Sequence, residues 1–492
     1  MANKKYDVII IGGGPGGVSC GALLAKWGAK SLLIEQNETV GGKAVTPTNK
    51  DGFSYELGPK LQVPAQGPSF AAVFKELGME SELKPIPLDT AGLAYRGPSG
   101  KYRLNVQPAS TGLSPEPFFD TWGLDPSQHE PALNFMIHMA TMTPEQISAL
   151  DDITSLDWYK SLQIPNLPSQ VESYVRMHAN ASLAVPVDLV SASEQLVIMQ
   201  DIALRGAAGY YVGGFGRVLA DIGKAMKALG GDIKTKTKVQ KIKVSNGRVT
   251  GVTTDQDTFD APIVISDAGI QPTVLKLVGE KEFDAAYLSW VRGLVPSWAF
   301  TGVKYFLNKK VLKEQMYDIW ADDTTMDLQR FVDMRRGKIA EDIMIFATVP
   351  SNWDPNMAPP GKQCIVAGTI CSPDPKAKEI QTLHEKLDKM WDKLYPGVMD
   401  ACMYKEIEGP AEVSQFTRDS VMHGQGGECV GLGQIVGQCG KNTPSPKAPI
   451  GGLFYTGFDV GVAGMGTHRA SGGGIKTARM VLRYKRLREA MI

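Results

Sequence analysis

The sequence lacks several features that define other classes of protein. Lys and Arg together number 52, and so do Asp and Glu, so there is no general basic excess of the kind that accompanies nucleic-acid binding. No stretch reaches the roughly 18 consecutive apolar residues of a membrane-spanning helix. The N-terminal segment has no small-residue cleavage site of the secretory type. These absences predict a cytoplasmic protein that binds no nucleic acid.

Features of metal and disulfide-rich proteins are scarce as well. The six cysteines form no CxxC pair, and the histidines show no HxH or HxxxH spacing. A chain of 492 residues is long enough to bury large cores without disulfides. We therefore interpret the cysteines as buried free thiols and predict no metal site.

Glycine is abundant, with 53 residues, and its first cluster lies in YDVIIIGGGPGG at residues 6–17. The apolar run at 6–11 is typical of a strand buried on both faces of a parallel sheet. The following residues, 16–28, have helical spacing of their apolar side chains, and SLLIE then predicts a second strand. Strand, glycine turn, helix and strand form one βαβ unit.

The glycine cluster matches the dinucleotide-binding pattern G-x-G-x-x-G at Gly12, Gly14 and Gly17. The first glycine permits the tight turn, the second permits close approach of a pyrophosphate, and the third permits close packing of helix on strand. Glu35, at the end of the second predicted strand, is placed to accept hydrogen bonds from ribose hydroxyls and would repel a 2′-phosphate. The pattern predicts dinucleotide binding, disfavours NADP, and leaves FAD and NAD open.

The rest of the chain changes character three times. Residues 85–200 are rich in Pro, Met, Ser and Asp and predict a helical insertion. From 210 a glycine turn, an amphipathic helix and alternating strands follow, with Asn246-Gly247 indicating a hairpin turn. Residues 290–430 form a second insertion, with strands predicted near 299–306, 343–349 and 363–370. The chain ends in a strand, a glycine-rich loop and a long helix.

Four segments together resemble one known family. They are IIIGGGPGGVSCGALLAKWGAKSLLIEQNETVGGKA, then YELGP, then the block that begins GGFGRVLADIGKAMKALGGDIKTKTKVQKIKV, and finally GGLFYTGFDVG with GTHRASGGG. In this order they resemble the FAD-dependent phytoene desaturase family, which is related to the flavin amine oxidases and to retinol saturase. The resemblance implies an α/β fold (α+β overall) in which a Rossmann-type FAD-binding domain is built from discontinuous segments.

In this interpretation the FAD-binding domain comprises residues 1–90, 210–285 and 448–492. A helical, substrate-binding lobe at 91–209 and a mixed-sheet substrate-binding domain at 286–447 are inserted into it. The resemblance also implies FAD, and because no motif fixes a Cys or His for covalent attachment, we expect the FAD to be noncovalent. The residues that it places at the cofactor are Gly12, Gly14, Pro15, Gly16, Gly17, Glu35, Gln36, Gly41, Gly42, Lys43, Gly58, Pro59, Lys60, Leu61, Val239, Asp267, Ala268, Gly457, Asp459, Met465, Gly466 and Thr467.

Two of these positions depart from the family pattern. Lys43 stands where the family has Arg, which keeps the charge and loses the bidentate fork. The family often has Gly-Asp directly after the last strand, whereas Phe458 separates Gly457 from Asp459 here.

Five residues are candidates for chemistry or substrate binding. Lys60 could act as a base or polarise a carbonyl, although a salt-bridged lysine is the more ordinary interpretation. His468 could shuttle protons, or it could only shape its loop. Arg469 could anchor a substrate carboxylate or face the phosphates, Phe458 is a candidate for substrate contact, and Tyr211 could line a pocket, although core packing is favoured.

The leading functional prediction is an FAD-dependent oxidoreductase that acts on CH–CH donors. It would desaturate or saturate an apolar isoprenoid, carotenoid-like or alicyclic enone-type substrate by hydride transfer to or from flavin N5. The alternatives are a flavin amine oxidase that releases H2O2 and a flavin-binding protein without turnover. The basic C-terminal helix could contact a membrane peripherally, although a solvated face is favoured. The oligomeric state stays open, with a homodimer as one option.

Overall fold

The computed structural model describes residues 5–108, 115–204, 208–417 and 420–491. Strands in this part of the chain form two sheets that matter for the site and two smaller ones. In chain order the strands are β1 (Val8–Ile11), β2 (Ser31–Ile34), β3 (Pro85–Pro87), β4 (Thr90–Arg96), β5 (Tyr102–Pro108), β6 (Gly209–Tyr211), β7 (Asp232–Lys234), β8 (Val239–Ser245), β9 (Arg248–Thr254), β10 (Thr258–Asp260), β11 (Val264–Ser266), β12 (Ala299–Leu307), β13 (Met316–Ala321), β14 (Ile345–Thr348), β15 (Gln363–Cys371), β16 (Cys402–Glu408) and β17 (Leu453–Tyr455).

The helices range from single turns to the long C-terminal helix. They are α1 (Pro15–Lys26), α2 (Pro68–Leu77), α3 (Glu116–Trp122), α4 (Pro126–Thr141), α5 (Pro144–Ser148), α6 (Ser155–Ser161), α7 (Ser169–Leu183), α8 (Ala192–Leu204), α9 (Gly214–Ala228), α10 (Ile270–Pro272), α11 (Ala285–Gly293), α12 (Leu328–Arg335), α13 (Pro350–Trp353), α14 (Ile380–Leu394), α15 (Val398–Ala401), α16 (Pro410–Phe416) and α17 (Gly466–Met491). None of the helices within the described ranges combines the length and apolar composition needed to cross a membrane.

The first sheet is parallel, with the strand order β17-β11-β1-β2-β7. Its strands come from the N-terminal, middle and C-terminal segments of the chain. Both faces are covered, which explains the continuous apolar run of β1. Val8 and Ile10 pack in one hydrophobic cluster with α1 and α9, whereas Ile9 and Ile11 pack in another with the sheet β8–β10. This arrangement confirms the predicted βαβ unit.

The hairpin predicted at Asn246-Gly247 is also present. Strands β8 and β9 pair antiparallel, with Ser245 opposite Arg248. Asn246 and Gly247 have φ values of 50° and 69°. Two consecutive positive φ angles are the requirement of a type I′ hairpin turn, which Asn-Gly meets at low cost.

The second sheet is mixed, with the strand order β16-β12-β15-β14-β13-β4-β5. Only the pair β13–β4 is parallel; the others are antiparallel. One face packs on α14, through Tyr305 and Tyr317 against Trp391. The opposite face is turned toward the helical segment α3–α8.

The strands predicted near 299–306, 343–349 and 363–370 are confirmed as β12, β14 and β15. β4 and β5 lie in a segment that its composition indicated to be largely helical, and they extend the sheet of the later insertion. The sequence of β4 does not alternate between polar and apolar residues, because most of its residues are buried. It therefore lacks the pattern that predicts a strand with one exposed face. The two insertions of the sequence therefore share one sheet, and the predicted domain boundaries stay predictions.

Candidate active site

A large cleft lies between the two sheets. Its space, including the mouth, amounts to about 2020 Å³. The cleft extends from the glycine cluster of the first sheet to side chains of the second sheet.

One end of the cleft is formed by the first glycine cluster. Residues 11–15 lie in its wall, where β1 ends and α1 begins. Gly12 has φ 95°, a conformation that L side chains rarely adopt. The N-cap of α1 is Gly14, which supplies no capping side chain. Unpaired N–H groups at a helix start bind anions well, so this end suits a phosphate group.

Three of the predicted cofactor glycines lie behind the wall of the cleft. A Cβ atom added to Gly16 would collide with the backbone of Gly457, and one added to Gly17 would collide with the carbonyl oxygen of Gly12. Gly457 in turn leaves no room for a side chain beside Asp267. These glycines let three chain segments cross at contact distance. None of the three glycines lines the cleft.

Asp267 lies at this crossing and also reaches the cleft. Its Oδ2 accepts the N–H of Gly17 at 2.9 Å. A Cβ atom on Gly14 would lie 2.7 Å from the same oxygen. The carboxylate therefore stabilises the start of α1 and takes one of its end N–H groups. The neighbouring Ala268 also lines the cleft.

Glu35 is held rigidly at the end of β2. It is 5% exposed, its Oε2 accepts the N–H of Gly13 at 2.7 Å, and its Oε1 accepts the N–H of Asn37 at 2.8 Å. Each carboxylate oxygen has a second lone pair that can accept another hydrogen bond. The side chain lies in the cleft wall, which Gln36 and Val239 also line.

The second glycine turn approaches the first. A Cβ atom on Gly42 would lie 3.1 Å from the Cα of Gly14. Lys43 Nζ donates to the carbonyl oxygens of Glu428 at 2.5 Å and Val430 at 2.7 Å. Lys43 thus connects this turn to the segment after β16. Gly41 lies outside the cleft wall and packs against Val45.

The other end of the cleft is floored by the second sheet. The pairing register places Glu408, Gly302, Gly368 and Phe346 in one row across β16, β12, β15 and β14. Side chains of such a row point to the same face. Phe346 and Glu408 line the cleft, as does Phe300, which is two residues from Gly302 on the same face. Gly368 lets Pro59 pack closely on this face, because a Cβ atom there would lie 3.3 Å from Pro59 Cδ.

The charged groups at this end belong to one network. Glu408 forms an ion pair with Lys304, and Lys60 interacts with Glu408 and with the buried Glu56. Burial raises the pKa of Glu408, and the attraction of Lys304 and Lys60 partly opposes this rise. Burial likewise raises the pKa of Glu56, which accepts hydrogen bonds from Tyr210 and Thr46. Lys60 therefore reaches the cleft beside two carboxyl groups of limited hydration.

The structure brings most predicted cofactor residues together. In addition to those described above, the following line the same cleft: Pro15, Gly58, Pro59, Leu61, Phe458, Asp459, Met465, Gly466 and Thr467. Asp459 is displaced by one position from the family pattern and serves the backbone. Its Oδ2 accepts the N–H of Ile270 at 2.9 Å, and its Oδ1 accepts the N–H of Leu432 at 3.0 Å.

Three of the candidates for chemistry lie elsewhere. His468 Nδ1 is 2.8 Å from Ser69 Oγ, and the ring borders a separate depression between α2 and α17. Arg469 is 2% exposed and pairs with the equally buried Glu194 of α8 at 3.1 Å. Tyr211 is buried, with its ring against Phe70 and Phe215. His468 and Arg469 lie in the first turn of α17, which directs Thr467 and Ala470 to the cleft and these two side chains away from it. Tyr211 lies on β6 and belongs to a hydrophobic core cluster.

The residues that sequence reasoning missed come from the insertions. Phe300, Phe346 and Glu408 lie on three strands of the second sheet, and Ser182 lies at the end of α7. No motif connects them, because only the strand register brings them to one face. Gly302 and Gly368, in the middle of otherwise apolar strands, were the one available signal of a close approach.

Comparison with known families decides the class of cofactor. The model of the flavin containing amine oxidoreductases matches residues 15–312, which is more than half of the chain; the match begins within the first glycine cluster, at Pro15, and includes the turn at Gly41-Gly42 and Val239. The chain belongs to the flavin containing amine oxidoreductase family. It is accordingly a flavin-dependent oxidoreductase.

Several relatives of this flavoprotein are known. It is 25% identical over 392 residues to phytoene desaturase of Fusarium fujikuroi, with 74% of this chain and 66% of that protein covered. It is 22% identical over 512 residues to human all-trans-retinol 13,14-reductase, with 94% and 83% covered. An oxidoreductase structure from Methanosarcina mazei has the same fold, with a TM-score of 0.69, 18% identity, and coverage of 96% of this chain and 100% of that one.

Proposed function

We propose that this flavoprotein binds FAD noncovalently and desaturates or saturates a carbon–carbon bond of an apolar isoprenoid, carotenoid-like or alicyclic enone-type substrate. The observation that carries the proposal is the single cleft that runs from the dinucleotide-binding loop to a sheet face with Phe300 and Phe346. A cofactor that spans the first part would present its reactive end to an apolar chamber.

The residues present fit a flavin dinucleotide. Gly12, Gly14 and Gly42 contribute only backbone to the cleft wall, where a pyrophosphate must approach closely. Glu35 is oriented by two backbone N–H groups and retains acceptor capacity for ribose hydroxyls. Glu428 Oε2 lies buried in the wall with no hydrogen-bond partner among the described residues, and a polyol chain would satisfy it. Noncovalent attachment agrees with the absence of any motif for a flavin bond.

A bound flavin supplies the hydride acceptor or donor at N5. The chain supplies charge and proton handling at the chamber: Lys60 reaches it, and Glu408 is held there by Lys304. If the substrate carries a carbonyl, Lys60 can polarise its oxygen, and a carboxyl group of raised pKa such as Glu408 can hold the α-proton. The apolar walls exclude water from the bond that reacts.

Two relatives support carbon–carbon chemistry by name. One is a desaturase of phytoene and the other is a 13,14-reductase of all-trans-retinol. The amine oxidase alternative has less support from the site. In the C-terminal loop the aromatic side chain at the cleft is Phe458, and the Arg469 guanidinium lies over its ring, 5.3 Å from the centroid. Because the guanidinium already covers this ring, the ring is poorly placed to pack against the amino group of a substrate.

Anaerobic photoreduction tests the proposal. The purified holoprotein is reduced and then mixed in turn with an enone such as β-ionone, a quinone and O2, and reoxidation is followed by flavin absorbance. We expect the enone or the quinone to reoxidise the flavin faster than O2 does. Rapid reoxidation by O2 with H2O2 release, together with reduction by amines, would instead identify an amine oxidase. Release of intact FAD by acid, identified by mass spectrometry, tests the cofactor separately.

A further inference from the structure

The row of residues that floors the cleft continues beyond Phe346. Asp318 of β13 is the register partner of Phe346, one strand further along, and Leu93 of β4 follows it. Neighbouring strands lie about 4.8 Å apart, so the Asp318 carboxyl group lies one strand beyond the cleft wall, on the same face. Helix α7 runs over this face.

Side chains on one side of helix α7 also extend from the cleft toward Asp318. Ser182 lines the cleft, and His178 and Tyr174 follow at intervals of four residues, which places them on one side of the helix. His178 Nε2 lies 3.5 Å from Ser182 Oγ, the centroids of the Tyr174 and His178 rings are 6.1 Å apart, and Tyr174 interacts electrostatically with Asp318. Sheet and helix thus bring three polar side chains to one place beyond Phe346.

Apart from His178 Nε2, which Ser182 contacts, the polar atoms of this group lack partners among the described residues. His178 is 5% exposed, and its Nδ1 is buried without a hydrogen-bond partner among the described residues. In the same part of the chain, no hydrogen bond is formed by the Asp318 carboxyl group or the Tyr174 hydroxyl. The indole N–H of Trp122, whose ring centroid is 5.4 Å from that of Tyr174, is also buried and unpaired there. Buried polar groups without partners are rare and usually indicate a ligand or water.

Neighbouring residues cover these side chains only in part. Asp318 and Tyr174 are partly accessible, as are Ala181 and Ser182 in the cleft wall. Burial nevertheless raises the pKa of Asp318 to about 7 and lowers that of His178 to about 4.

We propose that the cleft continues past Phe346 into a subsite formed by Asp318, Tyr174 and His178, which binds the hydroxyl end of an elongated apolar substrate. That the substrate's other end reacts at the flavin rests on the proposed function. A hydroxyl both donates and accepts, which matches a site that offers acceptors on Asp318 and His178 and a donor on Trp122. An ammonium group offers donors only, so it would leave the buried Trp122 N–H unpaired.

Calorimetric titration of the oxidised holoprotein tests the subsite without turnover. The probes are farnesol, farnesylamine and the hydrocarbon of the same carbon skeleton. We expect farnesol to bind about tenfold more tightly than the hydrocarbon, the effect of one or two well-formed hydrogen bonds. Tightest binding of farnesylamine, or equal binding of all three probes, would overturn the proposal, and this comparison needs no variant.

Variants then locate the selectivity. Asp318→Leu should reduce the preference for farnesol to about one while changing hydrocarbon affinity less than twofold. Asp318→Asn, which can still hydrogen-bond a hydroxyl, should retain the preference. The matched control is Asp392→Leu, which removes an exposed carboxylate of α14. A preference that survives Asp318→Leu would overturn the assignment. Selective farnesol binding without any flavin turnover would support the subsite and count against the proposed reaction.

Discussion

The two ends of the cleft are built by different means. At the nucleotide end, three backbone segments cross in contact, which Gly16, Gly17 and Gly457 allow. The main polar group there is Glu35, whose carboxylate is fixed by backbone N–H groups. At the substrate end, side chains on the face of a sheet do the work, and strand register decides which of them meet. Substitutions at the nucleotide end are therefore limited by the space between backbone segments. Substitutions at the substrate end instead change the charge and shape of the surface that a substrate would contact.

This contrast explains why one fold can bind one cofactor and accept many substrates. A sheet face can exchange side chains without moving its backbone, so the row through Phe346 can vary while β12–β16 stay paired. The glycine crossing has no such freedom. The contrast predicts that variants at the substrate end lose function and keep stability, and that variants at the nucleotide end lose both.

The largest expected effect is on turnover at the substrate end. Lys60→Met removes the ammonium group beside Glu408 and should slow flavin reduction or reoxidation by substrate roughly 10²–10⁴-fold, the usual contribution of acid–base or polarising groups. Flavin content should be unchanged. Stopped-flow absorbance measures the rate, with the exposed Lys227→Met as control. Unchanged rates would remove Lys60 from the chemistry.

The contact between α17 and α8 provides the next test. Arg469→Leu leaves the buried Glu194 without its cation, and breaking such a pair typically costs about 3–5 kcal/mol of folding free energy. Urea unfolding measures this loss. Arg292→Leu breaks an exposed pair with Glu280 and should cost at most about 1 kcal/mol. Unaltered stability of Arg469→Leu with weaker binding of substrate carboxylates would return Arg469 to the role of an anchor.

A smaller loss of stability, coupled to the cofactor, is expected at the glycine crossing. Gly16→Ala places a methyl group against Gly457 and should cost about 1–3 kcal/mol, with reduced flavin content because the turn must widen. In Gly293→Ala the new methyl group meets nothing within 4 Å at an exposed helix end, so this variant is the matched control. Full flavin content in Gly16→Ala would show that the crossing is tolerant and would weaken the contrast between the two ends.

The smallest effect is expected outside both ends. His468→Ala removes a hydrogen bond to Ser69 and should cost about 1 kcal/mol, with flavin reduction unchanged within twofold. Because the two side chains share that bond, Ser69→Ala should cost a similar amount, and the double variant should cost less than the sum. A slow flavin reaction in His468→Ala would show proton transfer at this histidine after all.

The difference between the two ends also determines how much could be predicted from the sequence. Local sequence patterns predict the βαβ unit, the hairpin at Asn246-Gly247 and the family. A site formed by backbone requires glycines and an acidic residue at fixed spacing, and both are visible in the sequence. Strands β4 and β5, the floor row and Glu408 could not be predicted, since they depend on pairing between distant segments. The position of His468 and Arg469 in the glycine-rich loop predicts that both lie near the flavin. The first turn of α17 instead directs both side chains away from the cleft.

The crossing of residues 12–17, 267 and 457 has a consequence for biosynthesis. The first glycine cluster leaves the ribosome early, yet its turn closes only when the segments around Asp267 and Gly457 have been made and have folded onto it. At about 5–20 residues per second, Gly457 is added roughly 20–90 s after Gly17. The nascent chain therefore carries an incomplete glycine turn for most of its translation, and closure of this end of the cleft becomes one of the last events in its folding.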